Sequence, residues 1–331
     1  MNTMLEARDL TKRFVKTLDL AGKIAQKLGA SVREEVVHAV DHVDFSIDPG
    51  EVVGLVGESG CGKSTVGRMV AGILPPTEGK ILFKGADVAG MDAADSKTAA
   101  LQIQMIFQDP FASLNPRMRV QDIIGEAPII HGIIKRAETA AYVEDIMLRV
   151  GLDPDYRRRY PHQFSGGQRQ RIGIARALAV KPEFLVCDEA IAALDVSIQA
   201  QVLNIFIGLR EDLSLTYLFI SHDLGVVQHI SDRVIIMYLG RIIEIAPTEE
   251  LFKSPNHPYT KALLNEVPRL DARRRDFAPV AGEIPSPIDP PSGCHFHPRC
   301  PHATERCRNE VPVLKAVAPG RISACHLNDT H

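Results

Sequence analysis

Residues 57–65 read G-E-S-G-C-G-K-S-T, the most informative motif of the chain. It fits the pattern G-x-x-x-x-G-K-[ST] at every fixed position. The apolar run 51–56 before it predicts a buried strand, and the apolar residues after it recur at the spacing of one helical face. A phosphate-binding loop needs a strand before it and a helix N-terminus after it. The chain is therefore predicted to bind a nucleoside triphosphate.

Each position of this loop has a chemical task. The glycines allow successive backbone N–H groups to turn toward the β- and γ-phosphates, and the helix dipole adds to their field. Lys63 can reach the β- and γ-oxygens, and the Ser64 hydroxyl is placed to ligate Mg²⁺. The predicted ATP-binding residues of the loop are Gly57, Glu58, Ser59, Gly60, Cys61, Gly62, Lys63, Ser64 and Thr65.

The composition narrows the class of protein. At 331 residues, 45% of them hydrophobic, the chain is long enough for two domains and a sizeable core. Its net charge of −3 gives no overall positive field for binding nucleic acid. The sequence has no signal-peptide core and no apolar run near the ~18 residues of a membrane-spanning helix. We expect a cytosolic protein that associates with a membrane only through a partner.

The order of the predicted elements indicates an α/β fold. Strands and helices alternate from residue 102 to 245, which predicts a mainly parallel sheet between helices. Two segments stand outside this alternation, a short amphipathic helix at 20–28 and an extended proline-rich linker at 284–291. The earlier strands, which look antiparallel, are predicted at 4–14, 42–47 and 80–84.

Two acidic residues follow the apolar strand 184–187. Asp188 ends the strand, where a carboxylate can hold Mg²⁺ through its water shell. Glu189 comes next and is a natural general base for the attacking water. A helix N-cap is the alternative interpretation of this pair, and the presence of a phosphate loop disfavours it.

A second anion-binding motif lies at 164–171, which reads F-S-G-G-Q-R-Q-R. Its serine suits an N-cap, and the two glycines expose N–H groups at the start of a helix. Since the chain has one phosphate loop, a second phosphate site suggests that two chains each complete the other's site. The residues assigned to this motif are Ser165, Gly166, Gly167 and Gln168.

With these motifs, the sequence closely resembles the ATP-binding subunits of ABC transporters. Their signature is L-S-G-G-Q, and Phe164 stands here in place of the leucine. The resemblance implies a P-loop NTPase fold: a RecA-like core, an antiparallel β subdomain and an α-helical signature subdomain at about 110–180. It also implies roles for further residues: Phe14 stacks on adenine, Gln108 is the Q-loop and a third residue at Mg²⁺, Asp188 is Walker B, Glu189 is catalytic, Asp195 is the D-loop, and His222 is the switch histidine.

Longer stretches make the sequence similar to the dipeptide and oligopeptide importers, and to their F-type subunit. These stretches are F-Q-D-P-F-A-S-L-N-P-R-M at 107–118, A-L-D-V-S-I-Q-A-Q-V-L-N at 193–204 and S-P-N-H-P-Y-T-K-A-L-L at 254–264. The resemblance implies an ATP-binding domain at 1–255 and a C-terminal extension at 256–331. The sequence departs from the pattern of this subfamily at about 16–35, where the segment is longer and more helical than expected. The role of this segment is unassigned.

The resemblance also implies partners. These are a related D-type ATP-binding subunit in a heterodimer, two transmembrane permease subunits and, indirectly, an extracytoplasmic solute-binding protein. The expected location is the cytoplasmic face of the inner membrane. Two alternatives stay open: the same machinery importing nickel chelates or another small solute, and, more remotely, a soluble ABC ATPase that handles nucleic acid. No residue of the chain selects the cargo, and homodimers are not distinguished from heterodimers.

Four cysteines crowd the end of the chain, separated by 5, 6 and 17 residues. Short proline-rich loops can converge four thiolates on one centre, as Zn²⁺ and [4Fe–4S] clusters both require. The spacing resembles the iron–sulfur tail of this subfamily. We predict a structural [4Fe–4S] cluster in a tail without regular structure. The predicted ligands are Cys294, Cys300, Cys307 and Cys325, and a Zn²⁺ site with mixed ligands could also use His295, His297, His302 and His326.

Overall fold

The computed structural model describes residues 3–16, 34–265 and 282–329, and in them the chain forms two β-sheets with surrounding helices. The predicted helix at 20–28 lies outside the described residues. The strands are β1 (Leu5–Lys16), β2 (Glu35–Ile47), β3 (Val52–Val56), β4 (Glu78–Phe83), β5 (Ala86–Asp87), β6 (Ile103–Ile106), β7 (Phe184–Asp188), β8 (Thr216–Ser221), β9 (Arg233–Tyr238), β10 (Arg241–Pro247), β11 (Lys315–Ala318) and β12 (Arg321–Ser323).

Helices separate the parallel strands of the main sheet in sequence. No helix of the described ranges is both long and apolar enough to cross a membrane. The α-helices are α1 (Lys63–Val70), α2 (Ala93–Gln102), α3 (Pro110–Ser113), α4 (Val120–Ile130), α5 (Thr139–Arg149), α6 (Gly166–Leu178), α7 (Val196–Leu213), α8 (Leu224–Ile230), α9 (Thr248–Lys253), α10 (Pro258–Asn265) and α11 (Glu305–Asn309).

The two sheets have different strand directions. The smaller sheet is antiparallel, in the order β2-β1-β4-β5. The larger sheet has the order β11-β12-β10-β9-β3-β8-β7-β6, and its strands from β9 to β6 are parallel. The predicted antiparallel start and parallel core are confirmed, as is the hairpin between β9 and β10.

Side chains of the central strands alternate between two cores. In β8, Tyr217 and Phe219 pack with the helices α4 to α7, whereas Leu218 and Ile220 face the core that includes the smaller sheet. This period of two is what a strand covered on both faces requires. The parallel strands are therefore buried on both sides, and their carboxyl ends are the place where functional side chains emerge.

The helical part contains one helix that the sequence pattern does not reveal. Residues 110–135 look like an irregular, proline- and glycine-punctuated section, yet α4 occupies Val120–Ile130 with Pro128 inside it. Val120, Ile123 and Ile124 are buried against α5 and α6. Because helices in proteins are stabilised mainly by packing, this burial outweighs the hydrogen bond that proline removes near the end of the helix.

The C-terminal extension is more regular than predicted, and it continues the main sheet. Strand β12 pairs antiparallel with β10, matching Glu244 with Ser323 and Ile245 with Ile322. Strand β11 then pairs with β12. The prediction of a tail without regular structure is wrong because β10 offers an edge whose backbone groups need partners.

Candidate ATP-binding and hydrolysis site

The phosphate loop lies between β3 and α1, and two of its glycines allow close packing. Gly62 has a φ of 106° and precedes the first turn of α1. A Cβ at Gly62 would lie 2.1 Å from the Ala39 carbonyl oxygen, and one at Gly57 would lie 2.1 Å from the Met237 carbonyl oxygen. Both distances are shorter than any real contact, so a side chain at position 57 or 62 would clash with the backbone of β9 or β2. The loop can pack against these strands only because glycine stands at both positions.

Lys63 is buried inside the phosphate loop. Its Nζ donates hydrogen bonds to the carbonyl oxygens of Gly57, over 2.7 Å, and Glu58, over 2.9 Å. These carbonyls hold the ammonium group at the centre of the loop. A triphosphate entering the loop would meet a positive charge that is already in place.

Ser64 and Asp188 come together from two different elements. The Ser64 hydroxyl at the start of α1 donates a hydrogen bond of 2.8 Å to Oδ1 of Asp188, the last residue of β7. Burial raises the pKa of Asp188, and the hydrogen bond from Ser64 opposes that rise. A buried carboxylate beside a hydroxyl is an all-oxygen pair, which suits Mg²⁺. These two residues therefore fit the cation expected at the site.

Glu189 lies between Gln108 and His222. Gln108 Nε2 donates a hydrogen bond of 2.6 Å to Oε2 of Glu189, and Nδ1 of His222 lies 3.4 Å from Oε1. The glutamate has a φ of 46°, in the left-handed region, which is uncommon for a residue other than glycine. Such strain is often found at functional sites. Two side chains, from the ends of β6 and β8, thus meet around the carboxylate at the end of β7.

One cleft brings together eight of the residues predicted for ATP binding and hydrolysis. It is lined by Ser59, Gly60, Gly62, Lys63, Ser64, Thr65, Gln108 and Glu189, together with Val37, Ala39 and Pro287. Phe14 lies opposite Val37 in the pairing of β1 with β2, and the residue is 42% exposed. Lys12 Nζ lies 5.4 Å from the centre of that ring. The sequence does not predict that Val37, Ala39 and Pro287 line the cleft, because they belong to no recognisable motif.

The signature residues lie away from this cleft within one chain. Ser165 caps α6: its hydroxyl accepts a hydrogen bond from the Gln168 N–H over 3.3 Å, and Gln168 Oε1 accepts from the Ser165 N–H over 3.0 Å. Gly167 is buried against Ile198, where a Cβ would lie 2.5 Å from a methyl carbon. None of the described residues lining the cleft comes from 165–168. Asp195, before α7, is exposed.

The four C-terminal cysteines share one small cavity. Cys294, Cys300, Cys307 and Cys325 line it together with several histidines, and none of the four forms a disulfide. Burial raises the pKa of Cys294 to about 11, and it also raises the pKa values of Cys300 and Cys325. Within 3–16, 34–265 and 282–329, no three histidine, cysteine or acidic side chains are arranged to hold a metal ion. The four thiols are the donors that an iron–sulfur cluster uses, but in this structure they are not arranged as its ligands.

Comparison with known proteins identifies the family. The chain matches the ABC transporter family over residues 40–192 and the family "Oligopeptide/dipeptide transporter, C-terminal region" over 243–307. It is 50% identical to the oligopeptide transport ATP-binding protein AppF of Bacillus subtilis, covering 98% of this chain and 97% of AppF. It is 52% identical to a putative peptide import ATP-binding protein of Brucella ovis, covering 88% of this chain and 93% of that protein.

The fold agrees with a solved structure of the same family. A dimeric bacterial ABC transporter cassette, MJ0796, superposes with a TM-score of 0.62 at 25% identity, covering 74% of this chain and 99% of that one. Identity of 50% over almost the whole of both chains goes beyond a shared fold. The protein therefore belongs to the ATP-binding subunits of ABC transporters, in their oligopeptide/dipeptide group.

Proposed function

We propose that this chain is the ATP-hydrolysing subunit of an importer for di- and oligopeptides. The observation that carries the proposal is the 50% identity with an oligopeptide transport ATP-binding protein along 98% of this chain. The cleft supports it, because the phosphate loop, Asp188 and Glu189 meet there as hydrolysis requires.

The contacts within the cleft support a role for each side chain in hydrolysis. Glu189 would take a proton from the attacking water, and the hydrogen bond from Gln108 orients its carboxylate. His222, on the other side of that carboxylate, would contact the γ-phosphate. Ser64, Gln108 and Asp188 would hold Mg²⁺, which neutralises charge on the phosphate oxygens when it is bound.

A second ATP-binding chain would complete the site. Ser165 caps α6 and is exposed outside the cleft of its own chain, so the start of this helix could cover the ATP of a neighbour. Asp195 of the D-loop is exposed as well, and Val196 after it is 82% exposed. The proposed neighbour is a D-type subunit, and the pair would dock on two permease subunits at the cytoplasmic face of the inner membrane, served by a solute-binding protein.

Uptake by reconstituted vesicles tests this function. Vesicles that contain the permease, its two ATP-binding subunits and the solute-binding protein should accumulate a labelled oligopeptide when ATP is supplied on the cytoplasmic side. Lys63→Ala should abolish accumulation, because the ammonium that binds phosphate is lost. Lys253→Ala, an exposed lysine in α9, is the matched control and should transport normally. Accumulation of a nickel chelate with no peptide uptake would contradict the peptide proposal.

The four C-terminal cysteines are proposed to hold a structural [4Fe–4S] cluster, with Zn²⁺ as the alternative. The shared cavity and its thiol lining support this proposal. Anaerobic purification should yield a brown protein with broad absorbance near ~400 nm and about four irons per chain. Cys300→Ser should remove the colour, because it removes one of the four proposed ligands.

Metal analysis of a second cysteine variant controls this experiment. Cys187 is a free, fully buried cysteine of β7, so Cys187→Ala should keep its iron. A colourless anaerobic preparation with one zinc per chain would replace the cluster with the zinc alternative. Loss of iron in both variants would mean that unfolding, not loss of a ligand, releases the metal.

A further inference from the structure

Arg299, in the C-terminal extension, forms a two-point ion pair with Glu58 of the phosphate loop. Its Nη1 donates to Glu58 Oε2 over 2.7 Å and its Nη2 donates to Oε1 over 2.9 Å, across 241 positions of sequence. The Arg299 side chain is 4% exposed and that of Glu58 is 20% exposed. Bidentate pairs shielded from water are stronger and more specific in geometry than pairs on the surface. This contact therefore ties the extension firmly to the loop.

The backbone of Glu58 is held as well as its side chain. Its N–H donates a hydrogen bond of 3.0 Å to the Tyr259 hydroxyl, and its carbonyl accepts from Lys63 Nζ over 2.9 Å. Tyr259 belongs to α10 and Arg299 to the turn before Cys300. Both contacts from outside the loop thus come from the chain beyond residue 255. The conformation of the loop at Glu58 depends on that part of the protein.

Buried aromatic rings fix Arg299 in place. Tyr238, Tyr259 and Phe296 are buried, with ring centres 4.7 Å apart for the two tyrosines and 5.3 Å apart for Tyr238 and Phe296. Arg299 Nη1 donates to the Tyr238 hydroxyl over 3.4 Å, and the guanidinium lies 5.8 Å from the centre of that ring. Edge-to-face rings and the arginine fork have few alternative arrangements. The guanidinium is consequently presented to Glu58 in one orientation.

The extension also reaches the nucleotide cleft at a second point. The Pro287 carbonyl accepts a hydrogen bond of 2.9 Å from the N–H of His38 in β2. Pro287 itself lines the cleft beside Val37 and Ala39. The proline-rich segment is therefore packed against the ATP-binding domain near the nucleotide.

We propose that Arg299 is a positioning residue for ATP binding, acting through Glu58. The inference rests on the proposed ATPase function. A Glu58 carboxylate without its partner would add a negative charge to the loop that receives a triphosphate, and it would compete with the nucleotide for Lys63. Arg299 neutralises that carboxylate and holds it away from the loop's centre. The C-terminal extension thus sets the affinity of the protein for ATP.

A double-mutant cycle on the full-length chain tests the proposal. Arg299→Ala should raise the KM for ATP, and the Kd of a fluorescent ATP analogue, about tenfold, with kcat within about twofold of the wild type. Adding Glu58→Ala should lower both constants about threefold or more from those of Arg299→Ala, because the unpaired charge is then gone. Arg306→Ala is the matched control, since Arg306 makes exposed ion pairs in the same extension, and it should leave KM unchanged.

Specific outcomes would overturn the proposal. A folded Arg299→Ala variant with unchanged KM would do so, and so would a double variant no better than the single one. If Arg299→Ala yields no folded protein, Arg299→Lys provides the test. A rise in KM, smaller than the about tenfold rise expected for Arg299→Ala, supports the role of the two-point guanidinium contact, and an unchanged KM refutes it. Wild-type protein that binds no ATP analogue would instead refute the proposed ATPase function.

Discussion

Glu189→Gln should lower ATP turnover by about 10²–10⁴-fold and leave ATP binding intact. The amide keeps the shape of the side chain and an oxygen that accepts the hydrogen bond from Gln108, but it has lost the basicity needed to take a proton from water. Ser64, Asp188 and the phosphate loop are untouched, so nucleotide and Mg²⁺ should still bind. Steady-state phosphate release and equilibrium binding of an ATP analogue measure the two effects separately.

A second glutamate provides the control for this variant. Glu183 precedes β7, at the opposite end of the strand from Glu189, and it is bound at the surface by Lys84 and Gln102. Glu183→Gln removes a carboxylate from the same strand, so its turnover should equal that of the wild type. Unchanged turnover in Glu189→Gln, or loss of ATP binding in that variant, would show that Glu189 is not the base.

Ser165→Arg should abolish hydrolysis while the affinity of the chain for ATP stays that of the wild type. Ser165 lies outside the cleft of its own chain, so its replacement leaves the phosphate loop unaltered. An arginine at the start of α6 would fill the space that the partner's triphosphate needs beside the exposed N–H groups. ATP affinity of the isolated chain and phosphate release by the assembled complex are the two measurements.

The control separates loss of the anion site from loss of a helix cap. The Asp92 side chain caps α2 by accepting hydrogen bonds from two N–H groups, so Asp92→Ala removes a cap away from the cleft and should keep its turnover.

Mixed dimers give the sharper test. If this chain carries Lys63→Ala and its partner carries arginine in place of the serine of its own signature motif, both changes fall in one composite site and the second site survives. Failure of both sites would contradict the head-to-tail arrangement.

The parts of the site that the sequence predicts are those built by local chemistry. A phosphate loop needs its strand, its glycines and its helix within a few residues, so its place between β3 and α1 is readable before folding. Asp188 and Glu189 are similarly marked by the apolar strand that ends at them. The parallel sheet follows from the alternation of elements, because each parallel pair requires a crossover.

The parts that the sequence does not predict depend on contacts between distant segments. Pro287 lines the cleft because its backbone pairs with His38, and Arg299, which also contacts Tyr238 of β9, reaches Glu58 across 241 positions of sequence. Helix α4 forms despite Pro128 because its apolar side is buried by α5 and α6. Packing and ion pairs of this kind leave no periodic or local signal in the sequence, so no motif predicts them.

The pairing of β12 with β10 has a consequence for how the protein is made. Strand β10 carries Ile242, Ile243 and Ile245, and in the described part of the chain the strand that pairs with its outer side is β12, at the later-synthesised residues 321–323. An apolar strand with unpaired backbone groups is a template for pairing with other nascent chains. The growing polypeptide is therefore exposed to aggregation during translation over the interval that separates these two strands.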